Sequence, residues 1–315
     1  MKKYLGLLLA LMTLLLAGCG TETRQAGGDV KFFQGQDDLQ RQVVLSAKPE
    51  RVVVLSPSFL EICAALSAPV VGRPTSKVGE IPPGVEKAEE IGMVYNINLE
   101  KAVSLQPDLV IGGESMHGKF LPVFEANNIP VLVLRLKSYE DIKDKTLLLG
   151  RALGQEEKAA EIVQDMDSRI ENLKSRIPQK KVRIMILHST AKSVTVELDN
   201  SIAGSAAKIL GLENLAAGSQ PLDDHADQTP YSLEKIVELN PDIIFFVTMG
   251  KLPELKKKMA AEMAANPAWN AVQAVKAQKI YYLPQELFLL NPGLHYPEAV
   301  EYMAKIVYPE VFNND

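Results

Sequence analysis

Side chains that could carry out chemistry are few in this chain, and they lie far apart. The four histidines are His117, His188, His225 and His295, and neither they nor the two cysteines have the spacing of a zinc site. The sequence has no Gly-x-Ser-x-Gly elbow, phosphate-binding loop or His-Glu-x-x-His motif. We therefore predict that the protein is not an enzyme and uses no catalytic cofactor. A receptor for a bare metal ion, which would need several histidine and carboxylate ligands, is the less favoured alternative.

The cysteine at position 19 has a different chemistry, because it ends an N-terminal apolar stretch. Residues 5–16 are too few to span a bilayer, which takes about 20 apolar residues, but they have the length of a signal-peptide core. Leu16-Ala17-Gly18-Cys19 resembles the bacterial lipobox, in which the cysteine thiol receives a diacylglycerol. We expect residues 1–18 to be a lipoprotein signal peptide and Cys19 to hold the exported chain on a membrane, facing the cell surface or the periplasm. Residues 19–38, rich in Gly, Gln, Asp and Thr, are expected to form a flexible tether.

Composition is consistent with folded lobes and excludes a nucleic-acid partner. Basic and acidic residues are mixed along the chain, with a net charge of -5 and no basic block. Hydrophobic residues make up 47% of the chain, which is enough for two modest cores. Cys63 lies in an apolar stretch, where a free cysteine acts as a small hydrophobic side chain.

A fourteen-residue unit occurs twice, at 98–111 and at 232–245, with seven identical positions. Each copy has a polar N-cap residue, a short helix beginning Leu-Glu-Lys, a Pro-Asp turn and an apolar run. The apolar run is typical of a strand that is covered on both faces of a parallel sheet. The repetition predicts two similar lobes.

Other segments continue the alternation of strands and helices. Further strands are predicted at 51–55, 131–134, 182–187 and 279–283, and 139–177 is a long helical run with one break at Gly154. We therefore predict an α/β fold: two similar lobes with central, mainly parallel sheets, joined by one long helix, with a ligand cleft between the lobes. The assignments are 39–138 for the N-terminal lobe, 139–178 for the connecting helix and 179–315 for the C-terminal lobe. A stiff connector implies a small closing motion.

Three segments resemble the proteins that deliver iron-siderophores, haem and vitamin B12 to ABC importers. They are Arg51–Ile62, the repeated Leu-Glu-Lys…Pro-Asp unit, and Asn266-Pro267-Ala268-Trp269-Asn270 with 275–281. The segment 287–293 is similar to the haem-receptor lipoproteins of Gram-positive iron-regulated surface uptake systems. The resemblance covers roughly residues 40–312 and implies a small-molecule ligand, an ABC permease dimer with its ATPase, and membrane lipid attached at Cys19.

The resemblance also implies a role for the glutamate of each repeated unit. In this family that glutamate lies on the outer face of its lobe and pairs with arginines of the two permease subunits. The matching residues here are Glu100 and Glu234. Each could instead be an ordinary glutamate at a helix start, where the helix dipole favours negative charge.

The haem branch of the family holds iron between a methionine of the first lobe and a histidine of the second. The matching positions here hold Tyr95, with Met93 two residues before it, and Met249. Tyrosine and methionine both ligate haem iron, so the resemblance implies Tyr95 and Met249 as the haem-iron ligands. Plain packing in the cleft is an equal alternative for both.

Further candidates for ligand contact lie in loops or at strand ends, which border the cleft in open α/β sheets. They are His117, His225, Arg73, Phe288 and Asn291. Arg73 and Arg135 could receive haem propionates or an anionic siderophore. We rank haem first as the transported ligand, cobalamin or a related corrinoid second, and a ferric siderophore third.

Overall fold

The computed structural model describes residues 31–75, 81–223, 225–289 and 292–312, and Phe32–Asp315 form one compact unit. The predicted signal peptide, the lipidation site Cys19 and the candidate ligand contact Asn291 lie outside the described residues. Among the helices of the described ranges, none combines the length and the apolar character needed to cross a membrane.

The strands alternate with helices along most of the chain. The strands are β1 Phe33–Gln36, β2 Gln42–Leu45, β3 Val52–Val54, β4 Val70–Thr75, β5 Glu89–Met93, β6 Asn96–Ile97, β7 Leu109–Gly113, β8 Val131–Leu134, β9 Arg183–Thr190, β10 Val194–Glu197, β11 Glu213–Asn214, β12 Gln228–Pro230, β13 Ile243–Met249 and β14 Ile280–Tyr282. The helices are α1 Pro57–Ala65, α2 Leu99–Ser104, α3 Glu114–His117, α4 Leu121–Ala126, α5 Tyr139–Leu153, α6 Glu156–Ser175, α7 Ile202–Ile209, α8 Leu233–Leu239, α9 Leu252–Ala265, α10 Gln273–Lys276, α11 Gln285–Phe288, α12 Tyr296–Val307 and α13 Pro309–Phe312. Short 3₁₀ turns occupy Gly118–Phe120, Pro267–Ala271 and Gly293–His295.

Each lobe has its own sheet. The first sheet has the order β6-β5-β4-β3-β7-β8 and is parallel except between β5 and β6. The second has the order β12-β10-β9-β13-β14, in which β13 runs parallel to β9 and β14 while β10 and β12 are antiparallel. Strands β3 and β8 are buried along their whole length, as their valine and leucine runs predict for strands covered on both faces. The predicted fold class of two α/β lobes is confirmed.

The repeated unit forms the same structure in both lobes. The side chain of Asn98 accepts a hydrogen bond from the backbone N–H of Lys101, and that of Ser232 accepts one from Lys235, so each caps its helix, α2 or α8. Strands β7 and β13 follow, and each runs parallel to a neighbouring strand of its own sheet, β3 and β9.

The aspartate of each Pro-Asp turn joins its unit to the neighbouring strand. Asp108 accepts the backbone N–H of Arg51 at 3.0 Å, and Asp242 accepts that of Arg183 at 2.9 Å. The guanidinium of Arg51 donates to the carbonyl of Leu105 at the end of α2. The guanidinium of Arg183 likewise donates to the carbonyl of Leu239 at the end of α8. The repetition therefore preserves a set of contacts that fixes the helix against the sheet.

The connector differs from the single long helix that was predicted. It consists of α5 and α6, separated at Gly154, which takes the left-handed conformation with φ 60. The N–H of Gly154 donates to the carbonyl of Arg151, and the N–H of Gln155 donates to that of Gly150. These hydrogen bonds cap the C-terminal end of α5. The two helices then pack against each other, so the chain reverses its direction at the glycine that the sequence marked as a break.

Each connector helix contributes buried residues to the cores of both lobes. Leu149 of α5 and Ala159 of α6 belong to the first-lobe core. Ile142 of α5 and Met166 of α6 belong to the second-lobe core. A Cβ atom at Gly150 would collide with the side chain of Ala159, so the helices approach closely at this crossing. Two packed helices that share both cores make a stiffer link than a single exposed helix would.

The end of the predicted tether is part of the fold. Strands β1 and β2 pair as an antiparallel hairpin, and Phe33, Val43 and Leu45 pack in the first-lobe core. In the turn, the buried carboxylate of Asp37 accepts the backbone N–H of Arg41 and forms an ion pair with its guanidinium at 2.6 Å. The predicted tether therefore does not extend to residue 38, because β1 begins at Phe33. The Gly and Gln residues of β1 had suggested a flexible segment.

Candidate ligand-binding cleft

A cavity of about 410 Å³ is bordered by elements of both lobes. Its first-lobe wall comes from residues that follow β3, β7 and β8, whose carboxyl ends meet at the same edge of the parallel sheet. The lining residues are Ser56, Pro57, Ser58, Phe59, Glu61, Val94, Gly113, Glu114, Ser115, Met116, Leu134, Arg135, Leu136 and Lys137 from the first lobe and connector start, and Ile202, Glu286, Leu289, Pro292 and His295 from the second. The predicted location of the cleft thus coincides with a cavity.

Two cationic side chains of the cavity wall are paired with aspartates. Lys137 lies 2.8 Å from Asp227 of the second lobe, and Arg135 lies 3.8 Å from Asp141 on α5. These two cations could receive an anionic group of a ligand from the side that faces the cavity. Apolar contact comes from Met116 and Leu289, among others.

His117, predicted as a ligand contact, is fully engaged within the first lobe. Its Nδ1 accepts the backbone N–H of Gly113 at 2.8 Å, which leaves the proton on Nε2, and Nε2 donates to the carbonyl of Val94 at 2.9 Å. Burial lowers the pKa of His117 and favours this neutral form. The side chain is 2% exposed, so His117 holds the Val94 loop against β7 instead of presenting a nitrogen to the cleft.

Tyr95 and Met249, predicted as iron ligands, lie on different lobes and are open to solvent. Tyr95 follows Val94 in the turn between β5 and β6 and is 66% exposed, whereas Met249 ends β13 and is 59% exposed. Met93 ends β5 and is partly buried. None of the three lines the cavity, although Val94, next to Tyr95, does.

The other candidates have different surroundings. Arg73 is 5% exposed and forms an ion pair with Glu90 at 3.2 Å, so its guanidinium is held inside the first lobe. Phe288 packs in the second-lobe core beside the ring of Tyr302. His225 lies in an exposed loop of the second lobe. Burial explains why Arg73 and Phe288 do not line the cavity: both were assigned from position in the sequence, which carries no information about the face that a side chain occupies.

Several cavity residues were not predicted as ligand contacts. They include Glu61, Met116, Lys137 and His295, which come from segments far apart in sequence. Within the described ranges, no group of three or more His, Cys, Asp or Glu side chains is arranged to hold a metal ion.

The two glutamates predicted to contact the permease have matching positions. Glu100 and Glu234 each occupy the first turn of their helix, α2 and α8, and both are exposed. The hydroxyl of Ser232 donates to Glu234 at 3.2 Å. Both carboxylates are thus available to a partner, one on each lobe.

Comparison with known proteins places this architecture in a family. A model of the periplasmic binding protein family matches residues 52–287, and the chain belongs to that family. The chain is 29% identical to the uncharacterized ABC transporter substrate-binding lipoprotein YvrC of Bacillus subtilis (strain 168), over 99% of each protein. It is 25% identical to the Fe(3+)-citrate-binding protein YfmC of the same organism, over 99% of this chain and 100% of the relative.

A solved structure agrees with the fold. The crystal structure of IsdE from S. aureus complexed with heme superposes with a TM-score of 0.71 and 23% identity, covering 82% of this chain and 98% of IsdE. The resemblance to substrate-binding proteins of ABC importers, stated from the motifs, is confirmed at the level of the family. Members of this family are binding proteins and not enzymes.

Proposed function

We propose that the protein is the lipid-anchored, extracytoplasmic substrate-binding component of an ABC importer, and that it carries haem or a related iron or tetrapyrrole ligand. The cavity between the lobes is the main support, because it lies where parallel sheets of this type bind ligands. YvrC, which is a lipoprotein by name, aligns with the chain over almost its whole length and supports anchoring at Cys19. The haem assignment draws on IsdE and on the segment 287–293.

Tyr95 and Met249 are the proposed iron ligands. Both side chains are exposed, one on each lobe, and Tyr95 directly follows the cavity residue Val94. A phenolate oxygen and a thioether sulfur could therefore approach a flat ligand from opposite lobes. The other reading, in which both side chains only pack against the ligand, predicts the same position but not the same chemistry.

An absorption titration with haemin separates these readings. Residues 20–315 contain the whole compact unit Phe32–Asp315, so this part is suitable for the assay. We expect a stoichiometric Soret shift that is lost in Tyr95→Phe and in Met249→Leu, because each change removes the ligating atom and keeps most of the bulk. A shift that survives both changes would assign these side chains to packing. A flat titration with the unmodified protein would remove haem from the proposal.

A ferric chelate, the class ranked third from the sequence, moves ahead of a corrinoid because one relative is named for such a ligand. YfmC is named for ferric citrate and aligns over all of its length. Arg135 and Lys137 line the cavity together with the carboxylates of Glu61, Glu114 and Glu286, so the support comes from YfmC and not from the charge of the cavity. A corrinoid is the third possibility, because it shares the flat apolar shape of haem. The same protein is titrated with ferric citrate and with cobalamin under identical conditions, and calorimetry reports binding.

Delivery to the permease is tested at Glu100 and Glu234. We expect the double change to alanine to leave ligand affinity intact and to abolish uptake, since the two carboxylates would otherwise pair with arginines of the permease. Exposed pairs add little stability, so folding should be unaffected. Glu238→Ala is a matched control, because Glu238 is also exposed on α8. Normal uptake in the double variant would refute the docking role.

A further inference from the structure

Both ring nitrogens of His295 contact carboxylates from different parts of the molecule. Its Nε2 lies 2.8 Å from Oε1 of Glu61, and its Nδ1 lies 2.9 Å from Oε1 of Glu298. Glu61 is on α1, whose buried residues Leu60 and Ile62 belong to the first-lobe core. His295 immediately precedes α12, which packs in the second-lobe core. The contact between Glu61 and His295 therefore crosses from one lobe to the other.

Hydrogen-bond chemistry requires an additional proton in this cluster. An ionised carboxylate only accepts hydrogen bonds, and a neutral imidazole donates from one of its two nitrogens. Both contacts of His295 are hydrogen bonds at the same time when the ring is an imidazolium ion with an N–H on each nitrogen. The hydrogen bond to Glu298 raises the pKa of His295, and burial raises the pKa of Glu61.

The chain around the pair is shaped to bring it together. The backbone N–H of Leu294 also bonds to Glu61. Gly293 has a φ of +54, a left-handed conformation that favours glycine, and a Cβ atom there would lie 2.5 Å from Oε2 of Glu61, so a larger residue would displace the Glu61 carboxylate. The turn Gly293–His295 is thus held directly against α1.

The charged groups that face this cluster come from three elements. They are Glu61 of α1, His295 and Glu298 at the start of α12, and Glu161, Asp165 and Arg169 of α6, which line the same crevice. Arg169 lies 3.5 Å from Glu298. Carboxylates outnumber the arginine, and this surplus of negative charge favours the protonated imidazole.

We propose that Glu61, His295 and Glu298 form a proton-dependent latch that holds the two lobes together at the wall of the ligand cavity. Glu61 and His295 both line that cavity, so the state of the latch sets how easily the lobes separate and exchange ligand. His295 positions the two lobes and does not contact the ligand through its ring nitrogens, because both nitrogens are engaged with carboxylates. The latch does not depend on which ligand fills the cavity.

The direction of the pH effect follows from the raised pKa of His295. A group whose pKa is higher in the folded state than in the unfolded chain stabilises the folded state below its unfolded pKa, and this contribution is lost as pH rises through the folded pKa. The latch is therefore closed at mildly acidic pH and opens as His295 loses its proton. Loss of one charge-assisted hydrogen bond at a partly exposed site should raise local opening by about three- to tenfold.

An NMR titration of residues 20–315 without ligand tests the proton. Histidine side chains carry a carbon-13 label, and His295→Gln identifies the His295 signal. We expect His295 to titrate above its ordinary value of 6.5 in the unmodified protein, and closer to it in Glu61→Gln and in Glu298→Gln. Glu301→Gln is the matched control, because Glu301 pairs with Lys305 on the same helix and should leave the titration unchanged. Titration of His295 at or below 6.5, unaffected by Glu61→Gln, would overturn the proposal.

Amide hydrogen exchange tests the consequence for the lobes. Protection factors, which correct for the intrinsic effect of pH on exchange, are compared on either side of the His295 titration for α1 and for the turn Gly293–His295. We expect protection to fall about three- to tenfold as His295 loses its proton, and to be independent of pH in His295→Gln. Constant protection in the unmodified protein would mean an ion pair without a latch. Neither measurement uses a ligand, so failure of the ligand assignment leaves this result intact.

Discussion

Replacing Asp242 by asparagine should loosen the second lobe, and the same change at Asp108 should loosen the first. Each aspartate accepts two hydrogen bonds. Asp242 accepts the backbone N–H of Arg183 at 2.9 Å and its guanidinium at 3.3 Å. Asp108 accepts the backbone N–H groups of Glu50 at 2.7 Å and Arg51 at 3.0 Å. An asparagine amide keeps one acceptor and turns an NH₂ group towards the second donor.

The structure sets the size of the effect. A hydrogen bond to a charged group contributes about 1.5–3 kcal/mol, but the Asp242 side chain is partly exposed, so we expect a loss of about 1–2 kcal/mol in the free energy of unfolding. In a protein of this size, each kcal/mol lowers the Tm by about 2–4 °C, so a fall of about 2–8 °C is expected for each variant.

Thermal unfolding followed by circular dichroism provides the assay, and Asp144→Asn provides the control. Asp144 is exposed on α5, so its neutralisation should leave the Tm nearly unchanged. If Asp108→Asn and Asp242→Asn both melted within about 1 °C of the unmodified protein, the aspartates would not anchor the repeated units and the reasoning would be refuted. A lower Tm in only one variant would show that the aspartate of the Pro-Asp turn stabilises one lobe and not the other.

Two further predictions concern buried positions. Burial raises the pKa of the Cys63 thiol to about 12, so a maleimide at neutral pH should label Cys63 only after the protein is unfolded, and rapid labelling of the native protein would contradict this. A side chain at Gly204 would collide with the backbone carbonyl of Leu198, so Gly204→Ala should lower the free energy of unfolding by about 1–3 kcal/mol in denaturant titrations. Gly218→Ala, where a Cβ would enter open space, is the control, and equal stability of both variants would argue against the collision.

Local pattern was sufficient to predict much of the fold. Valine-rich runs correctly indicated β3 and β8, since a strand buried on both faces needs apolar residues along its whole length. The repeated unit correctly indicated two similar lobes, because its cap residues and its aspartate act within the unit or on the strand beside it. These contacts leave a readable signal in residue type and spacing.

Patterns were less informative where two conformations share the same residues. The helical periodicity of 139–177 fits one helix or two, and the reversal at Gly154 depends on packing between α5 and α6. The hairpin of β1 and β2 was missed for a related reason. Each strand has only four residues, and β1 has a single apolar residue, Phe33, so the alternation of buried and exposed residues is too short to stand out in the sequence.

The candidate site shows the same limit more strongly. The sequence predicted a cleft at the carboxyl ends of the strands, and the cavity lies there. It did not predict that His117 uses both nitrogens inside the first lobe, or that Arg73 pairs with Glu90. Those outcomes depend on which neighbour lies within hydrogen-bond distance, and a single sequence carries no record of such distances.

The sequence by itself determined the class of fold, the family and the matched positions of Glu100 and Glu234, because all three depend on local spacing and repetition. Only the tertiary structure decided which side chains line the cavity and that Glu61 meets His295 across the two lobes. The physical reason is the same in both cases. Hydrophobic periodicity is set by neighbours within a helix or strand, whereas the contacts of a cleft join residues that are brought together only when the two lobes pack on their shared connector.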